Sequence, residues 1–291
     1  MKHYTGNIKK ILMMFMMLTL CMGAFAKQKT IIKKIKKTVV EPQKEYAESL
    51  IILSQAAADI LYELGADDLV TAIGPDVTIP EGFAEKPVIA AEDLNSQTIL
   101  SYSPDYVFLM PGGDDEIEDA LDELNIRYTD IYAASITELT DFITETGAII
   151  RRDSEALALV TKIEEKLIEI DEAVTARTSF YYELSADPYI ILGARSFIND
   201  LITKAGGTNI FEYINSSDGQ VDESIIISKT PEVIFISSAS GTTVEEVKAR
   251  EGWSTIPAVQ NNKIFVIDEE KYNQPTPACI DRVYELFELL K

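Results

Sequence analysis

At 291 residues, 46% hydrophobic and 25% charged, the chain can bury one large core or two modest ones, which excludes a disordered or fibrous polypeptide. Its formal net charge is −22, and ten of its 26 basic residues lie in positions 1–44, so that from Glu45 onward 16 bases face 47 acids; a surface that acidic repels phosphate backbones and excludes nucleic acid as a partner of the folded part. The single histidine is His3, so a chain that has lost its N-terminus has no Ser-His-Asp triad, no histidine zinc site and no axial histidine for haem.

Lys2, Lys9 and Lys10 precede an apolar run over 11–20, and Ala24-Phe25-Ala26 fits a small-x-small cleavage site, so residues 1–26 read as an export signal. The run is too short to span a bilayer. Cys21 opens a second reading, because a cysteine closing such a run is where bacterial lipoproteins are cut and acylated; against it, Leu20 is bulky where that pattern has a small residue. Either way the protein leaves the cytoplasm, for the periplasm or the outer face of a cell membrane, the latter through a lipid anchor. Cys279 is then without an intramolecular partner, and no disulfide is expected. Residues 27–44 carry seven Lys and one acid and read as a basic tether, with contact to anionic lipid as the sharper alternative.

From Ser49 the pattern repeats β-loop-α. Strands are expected at 49–53, 70–73, 87–91, 106–110 and 126–131, and helices at 55–64, 95–102, 114–124 and 135–150, the first stopped by Gly65. Over 153–176 the apolar residues Leu157, Val160, Ile163, Leu167, Ile170 and Val174 recur at three- and four-residue steps, predicting one continuous helix roughly 36 Å long. The alternation then resumes, with strands at 180–184, 233–237 and 263–267 and helices at 196–205, 222–229, 243–250 and 277–290. Thr276 is the expected cap of the last helix, with Pro277 at its first position. The fold class is therefore α/β, with an N-terminal lobe over 45–152, a connecting helix over 153–177 and a C-terminal lobe over 178–291. Ligands of open parallel sheets bind beyond the carboxyl ends of the strands, so two lobes facing each other enclose a cleft.

The parts of an extracellular enzyme are missing: there is no G-x-S-x-G, H-E-x-x-H, C-x-x-C or Gly-rich phosphate loop with Lys. The densest carboxylate cluster, Asp114, Asp115, Glu116, Glu118 and Asp119, follows Pro111-Gly112-Gly113. It reads as a helix cap with acids in the first turn, and it lacks the spacing and glycine of an EF-hand calcium loop. No catalytic residue and no metal site are assigned. A secreted enzyme working through a carboxylate pair elsewhere remains a competing reading.

Four segments carry a resemblance: ILSQAAADILYELGADDLVTAIG over 52–74, KPVIAAEDLNSQTILSYSPDYVF over 86–108, DPYIILGARSFINDLITKAGGTNIF over 187–211 and WSTIPAVQNNKIFVID over 253–268. In this order and spacing, over about 48–291, the chain resembles the helical-backbone class (class III) of periplasmic solute-binding proteins, which serve ABC importers of ferric siderophores, haem and cobalamin. The resemblance implies two Rossmann-like lobes joined by one rigid helix, a metal-chelate ligand held between them without chemistry or cofactor of the protein's own, and a permease and an ATPase as partners. Any iron or cobalt would arrive within the ligand. A surface interaction protein that keeps the fold without transport is the other reading.

The loops expected to line the cleft are 54–55, 74–76, 110–112, Tyr132, 185–195, 237–238 and 268–273. From them Ser54, Gln55, Asp76, Met110, Tyr132, Tyr189, Arg195, Ser238 and Tyr272 are the candidate ligand-binding residues, with Tyr189 and Tyr272 as flat contacts and Arg195 as partner for a ligand carboxylate. Few cations lie in these loops, which favours a neutral, weakly charged or cationic chelate, such as cobalamin, a hydroxamate complex or haem held through Tyr, over a tri-anionic catecholate. Trp253 and Cys279 are expected in the core.

Family members present one Glu on each lobe to permease arginines. Here the matching positions are Gln97 and Ser224, so the charge is displaced. Glu92 with Asp93, and Asp222 with Glu223, are the nearest substitutes and the expected permease-docking acids.

Overall fold

Leu50–Ile52 (β1) is a fully buried apolar triplet, as a strand covered on both faces must be. It leads through Ser54 into Gln55–Glu63 (α1), which ends before Gly65 at φ +62. This computed structural model describes residues 46–291; the export segment 1–26 with Cys21, and the tether 27–44, lie outside the described residues. Residues 45–291 form one compact unit.

Val70–Ile73 (β2), Ser96–Ser101 (α2), Tyr106–Leu109 (β3), Asp115–Leu124 (α3), Arg127–Asp130 (β4) and Ile136–Ile150 (α4) complete the first half. Its later three helices start where side chains accept their free N–H groups, Asn95 from Thr98, Asp114 from Glu116 and Ile117, Ser135 from Glu138, whereas Ser54 makes no such bond at the start of α1. The four strands are parallel in the order β2-β1-β3-β4, so the winding reverses between β1 and β3. The expected strand at 87–91 does not form. Val88 makes one bridge to Ile73 at the sheet edge, because Pro87 has no N–H and contributes only its carbonyl, to Ile73.

Asp153–Ala173 (α5) is the connecting helix, 21 residues or about 32 Å. Its buried stripe is Ala156, Leu159, Ile163 and Ile170, whereas Leu157, expected inside, is 68% exposed. The stripe is rotated because α4 approaches so closely at Gly147 that an added Cβ would stand 2.5 Å from the Ala156 Cβ. The helix stops short of 176 because Val174 turns extended, at φ −74 and ψ 103.

The second half holds Thr178–Ala186 (β5), Tyr189–Leu192 (β6), Phe197–Lys204 (α6), Gly207–Asn209 (β7), Asp218–Gln220 (β8), Glu223–Lys229 (α7), Val233–Ser237 (β9), Val244–Ala249 (α8), Pro257–Gln260 (α9), Ile264–Ile267 (β10), Glu269–Tyr272 (α10) and Cys279–Leu290 (α11). The sheet runs β10-β9-β5-β6-β8, with β7 alongside the start of β5. β10, β9, β5 and β7 are parallel, whereas β6 and β8 add antiparallel. Thr276 does not cap the last helix. α11 begins two residues beyond Pro277, at Cys279, and the buried Thr276 hydroxyl instead accepts from Arg282, whose guanidinium also donates to the Gln274 carbonyl at 2.6 Å.

Alternation along β5 separates two cores. Phe180 and Tyr182 face α6, α11 and the connecting helix, and Tyr181 packs with Phe211, Trp253 and Ile226 on the other side. The halves are also tied by a hydrogen bond: the Ile136 N–H, at the start of α4, donates to the Asp200 carboxylate of α6 at 2.8 Å.

Candidate functional site

A cavity of about 380 Å³ opens between the halves. The first half contributes Pro111, beyond β3, and Ile131, Tyr132 and Ala133, beyond β4. The second contributes Leu184 and Leu192 from β5 and β6, and Ser196, Phe197 and Ile198 from the start of α6. Ser217 and Asp218, then Glu269, Asn273 and Pro275, close the remaining wall. The first-half residues stand beyond the carboxyl ends of the parallel strands β3 and β4, the end of the strands at which such sheets bind ligands.

Asp218 reaches this wall through long-range pairing. Leu192 of β6 pairs with Asp218 of β8, and the backbone of 193–195 then bonds to the carbonyls of Ser217, Ile214 and Ser216. A side chain at Gly193 would collide with the Ser216 carbonyl, so the close approach requires glycine. Ser217 donates to the Asp218 carboxylate at 3.0 Å. Glu269 is held at both ends: its carboxylate accepts from the buried Ser237 hydroxyl, and its N–H donates to Ser238 at 3.1 Å. A shallower hollow of about 510 Å³ adjoins the cavity, shares Glu269 and Asn273 with it, and is lined further by Ser238, Asp268 and Glu270. Among the described residues lining either hollow, none is Lys or Arg.

Of the nine candidate ligand-binding residues, the structure brings Tyr132 to the cavity, 63% exposed, and Ser238 to the adjoining hollow. Ser54 is buried at the start of α1. Gln55 is engaged locally, donating to Asp59 and the Thr78 carbonyl and accepting from the Thr78 N–H at 2.7 Å. Asp76 is exposed away from the cavity lining, and Met110 packs into the first-half core. Arg195 is exposed and does not line the cavity. Tyr272 is buried and donates to Glu285; burial, followed by that carboxylate, pushes its phenol pKa up.

Tyr189 lies on the far side of the second sheet. Its hydroxyl donates to Glu223 at 2.7 Å and its ring stacks on Trp253 at 6.1 Å; burial, then the Glu223 hydrogen bond, pushes its pKa up to about 12. The same Glu223 oxygen accepts from the Trp253 indole at 2.7 Å. Beneath, the fully buried Glu183 takes two bonds from Arg250, at 2.6 and 2.8 Å, and a third from Tyr181. Of the four expected docking acids, Glu92, Asp93 and Asp222 are exposed, and Glu223 is half-buried in this cluster. Cys279 is buried, which raises its thiol to about 12.

Reasoning from loops reached Pro111, Leu192, Glu269 and Asn273 as members of expected segments, but not Ser196, Ser217 or Asp218. The first turn of α6 was open to inference, since Ser196 marks a helix start and such starts present N–H groups. Asp218 carried no local signal.

The family description "Periplasmic binding protein" matches residues 50–271. The vitamin B12-binding protein of Vibrio cholerae is 25% identical over 249 residues, covering 84% of this chain and 90% of that protein. An uncharacterized ABC transporter substrate-binding lipoprotein of Bacillus subtilis, YvrC, is 24% identical over 255 residues, covering 84% and 80%. Among solved structures, a possible iron-binding (periplasmic solute-binding) protein of Staphylococcus epidermidis superposes with a TM-score of 0.73 at 21% identity, covering 84% of this chain and 98% of that one.

Proposed function

We propose, since the chain belongs to the periplasmic binding protein family, that it is the extracytoplasmic solute-binding component of an ABC import system. It captures a small metal chelate or cobalamin-like molecule between its halves, performs no chemistry on it, and delivers it to a membrane permease driven by an ATPase. The observation that carries this reading is the cavity itself: both halves wall it, its surface is largely apolar, and a few polar groups converge on it, the usual make-up of a small-molecule site. The export signal agrees with a protein working outside the cytoplasm, anchored by lipid at Cys21 or freed by cleavage after Ala26.

Docking falls to the exposed acids Glu92, Asp93 and Asp222, with Glu223 as the fourth of the set. Exposed ion pairs are worth only ~0 to 1 kcal/mol each, so the contribution appears as salt-sensitive association. The reading is tested by native mass spectrometry of protein purified from its own host, which should reveal a bound chelate. It is tested further by replacing the four acids with their amides. Ligand binding should survive while ligand-dependent stimulation of the ATPase falls; full stimulation in that variant would remove the acids from the docking surface.

A further inference from the structure

The cavity wall formed by Ser217 and Asp218 is lightly held. β8 has three residues, ends the sheet order and, among the described residues, pairs only with β6; an edge strand this short opens locally more readily than the sheet behind it. At the cavity end, Leu192 pairs with Asp218, and the N–H groups of Gly193 and Arg195 donate to the carbonyls of Ser217 and Ser216 at 2.8 and 2.9 Å. At the other end, the Val221 N–H donates to the Tyr189 carbonyl at 3.1 Å. Glu223 stands just beyond. One of its carboxylate oxygens accepts from both the Tyr189 hydroxyl, on the first residue of β6, and the Trp253 indole, in the turn after α8, each at 2.7 Å. Trp253 is fully buried, and the Arg250 guanidinium, fixed on Glu183 of β5, lies 4.5 Å from its ring and 5.4 Å from that of Tyr189. Glu223 thus ties the edge pair to the middle of the sheet. It follows Asp218 by five positions, roughly 16 Å of extended chain. Its neighbour Asp222 is exposed and makes no cap bond, so of these two acids only Glu223 is engaged inward.

We propose that Glu223 is a positioning residue of the cavity: through Tyr189 and Trp253 it holds the β6–β8 pair together and so keeps Ser217 and Asp218 on the cavity wall. The use of that wall rests on the solute-binding reading above. Without the carboxylate, Tyr189 and Trp253 lose their common acceptor, the Val221 end of the pair frays, and the opening runs along three residues to the cavity. The anchor lies one residue from Asp222, so the proposed docking face and the cavity wall share one strand.

The test is backbone hydrogen exchange on the full chain, read by mass spectrometry, for the parent, Glu223→Ala, Glu223→Gln, Tyr189→Phe and Asp222→Asn. Glu223→Ala should speed exchange over 190–195 and 217–221 about tenfold or more, while the slowest amides of β9 move far less. Glu223→Gln, whose amide oxygen still accepts from both donors, should stay within about twofold of the parent, as should Asp222→Asn. Tyr189→Phe, which keeps the ring and loses the hydroxyl, should fall between. Unchanged exchange over the two segments in Glu223→Ala, an equal rise at the β9 amides, which marks a general loss of stability, or exchange in Glu223→Gln as fast as in Glu223→Ala each overturns the positioning role. If Glu223→Ala does not fold, Tyr189→Phe decides: no rise over the two segments relative to β9 overturns it. No ligand enters the measurement, so its failure leaves the solute-binding reading standing, whereas a chain that carries no chelate from its own host counts against that reading alone.

Discussion

Replacing Arg250 with methionine is expected to cost about 3–5 kcal/mol of stability, because it removes one partner of a buried ion pair and leaves the other without its counter-charge. Glu183 has no exposed surface, and both its oxygens are bonded by the guanidinium, at 2.6 and 2.8 Å. Burial alone would lower the Arg250 pKa, but Glu183's hydrogen bonds and charge outweigh it and leave it raised. With the guanidinium gone, the carboxylate keeps one donor, Tyr181 at 3.0 Å. Loss of the cation over the Trp253 ring, 4.5 Å away, adds a part of ~0.5–2 kcal/mol that overlaps with the first term. Methionine retains most of the aliphatic stem, so lost packing is a small contributor. The assay is urea unfolding followed by Trp253, the chain's single tryptophan, with circular dichroism in parallel. The control is the triple variant Glu183→Leu, Arg250→Met, Tyr181→Phe, which removes the charge pair and the hydroxyl that depends on it and should recover most of the loss. An Arg250→Met variant within about 1 kcal/mol of the parent, or a triple variant no more stable than the single, would refute a desolvated, mutually dependent pair.

Burial raises the Asp200 pKa, with the Ile136 N–H and then Lys204 opposing and Glu138 adding to the rise; its contribution to stability is therefore full below the ordinary carboxylate range and is lost as pH climbs through the raised value. Asp200→Asn, whose amide oxygen still accepts from Ile136, should gain on the parent in thermal melts between pH 3 and 7, whereas Asp200→Ala should lose ~0.5–2 kcal/mol with the inter-half bond; a parent-to-Asn gap independent of pH would contradict this. Glu223→Ala strands the Trp253 and Tyr189 donors and should cost ~1–3 kcal/mol in denaturant, Glu223→Gln far less, and Asp222→Asn within about 0.5 kcal/mol of nothing; equal effects at the two neighbours would mean that the buried cluster does not depend on Glu223. Leu167→Pro in the middle of α5 should cost ~3 kcal/mol or more and alter the small-angle scattering profile, and an unchanged melt and profile would remove α5 as the strut between the halves.

What could be read along the chain was whatever a short window encodes. The buried triplet of β1, the runs of β2, β3 and β9, the stop at Gly65 and the caps Asn95, Asp114, Ser135, Ser196 and Thr243 are each decided by residues within about one turn or strand of one another, because capping and burial patterns act over that range. The connecting helix followed from the same periodicity, but not which of its faces is covered: Leu157 lies outside because Gly147 admits α4 close to Ala156, a contact between two helices. β6, β7 and β8, each three or four residues long, exist by pairing with β5 or with one another, and a strand that short has no pattern of its own. The same physics divides the site. Tyr132, Pro111 and Glu269 follow strands and were reachable by rule, whereas Asp218 stands at the cavity because β8 pairs with β6, and Tyr189 and Tyr272 turned away from it because Glu223 and Glu285 take their hydroxyls. Hydrogen bonds and strand register join residues that are distant along the chain, so tertiary folding alone assigned these side chains to the cleft or to the core.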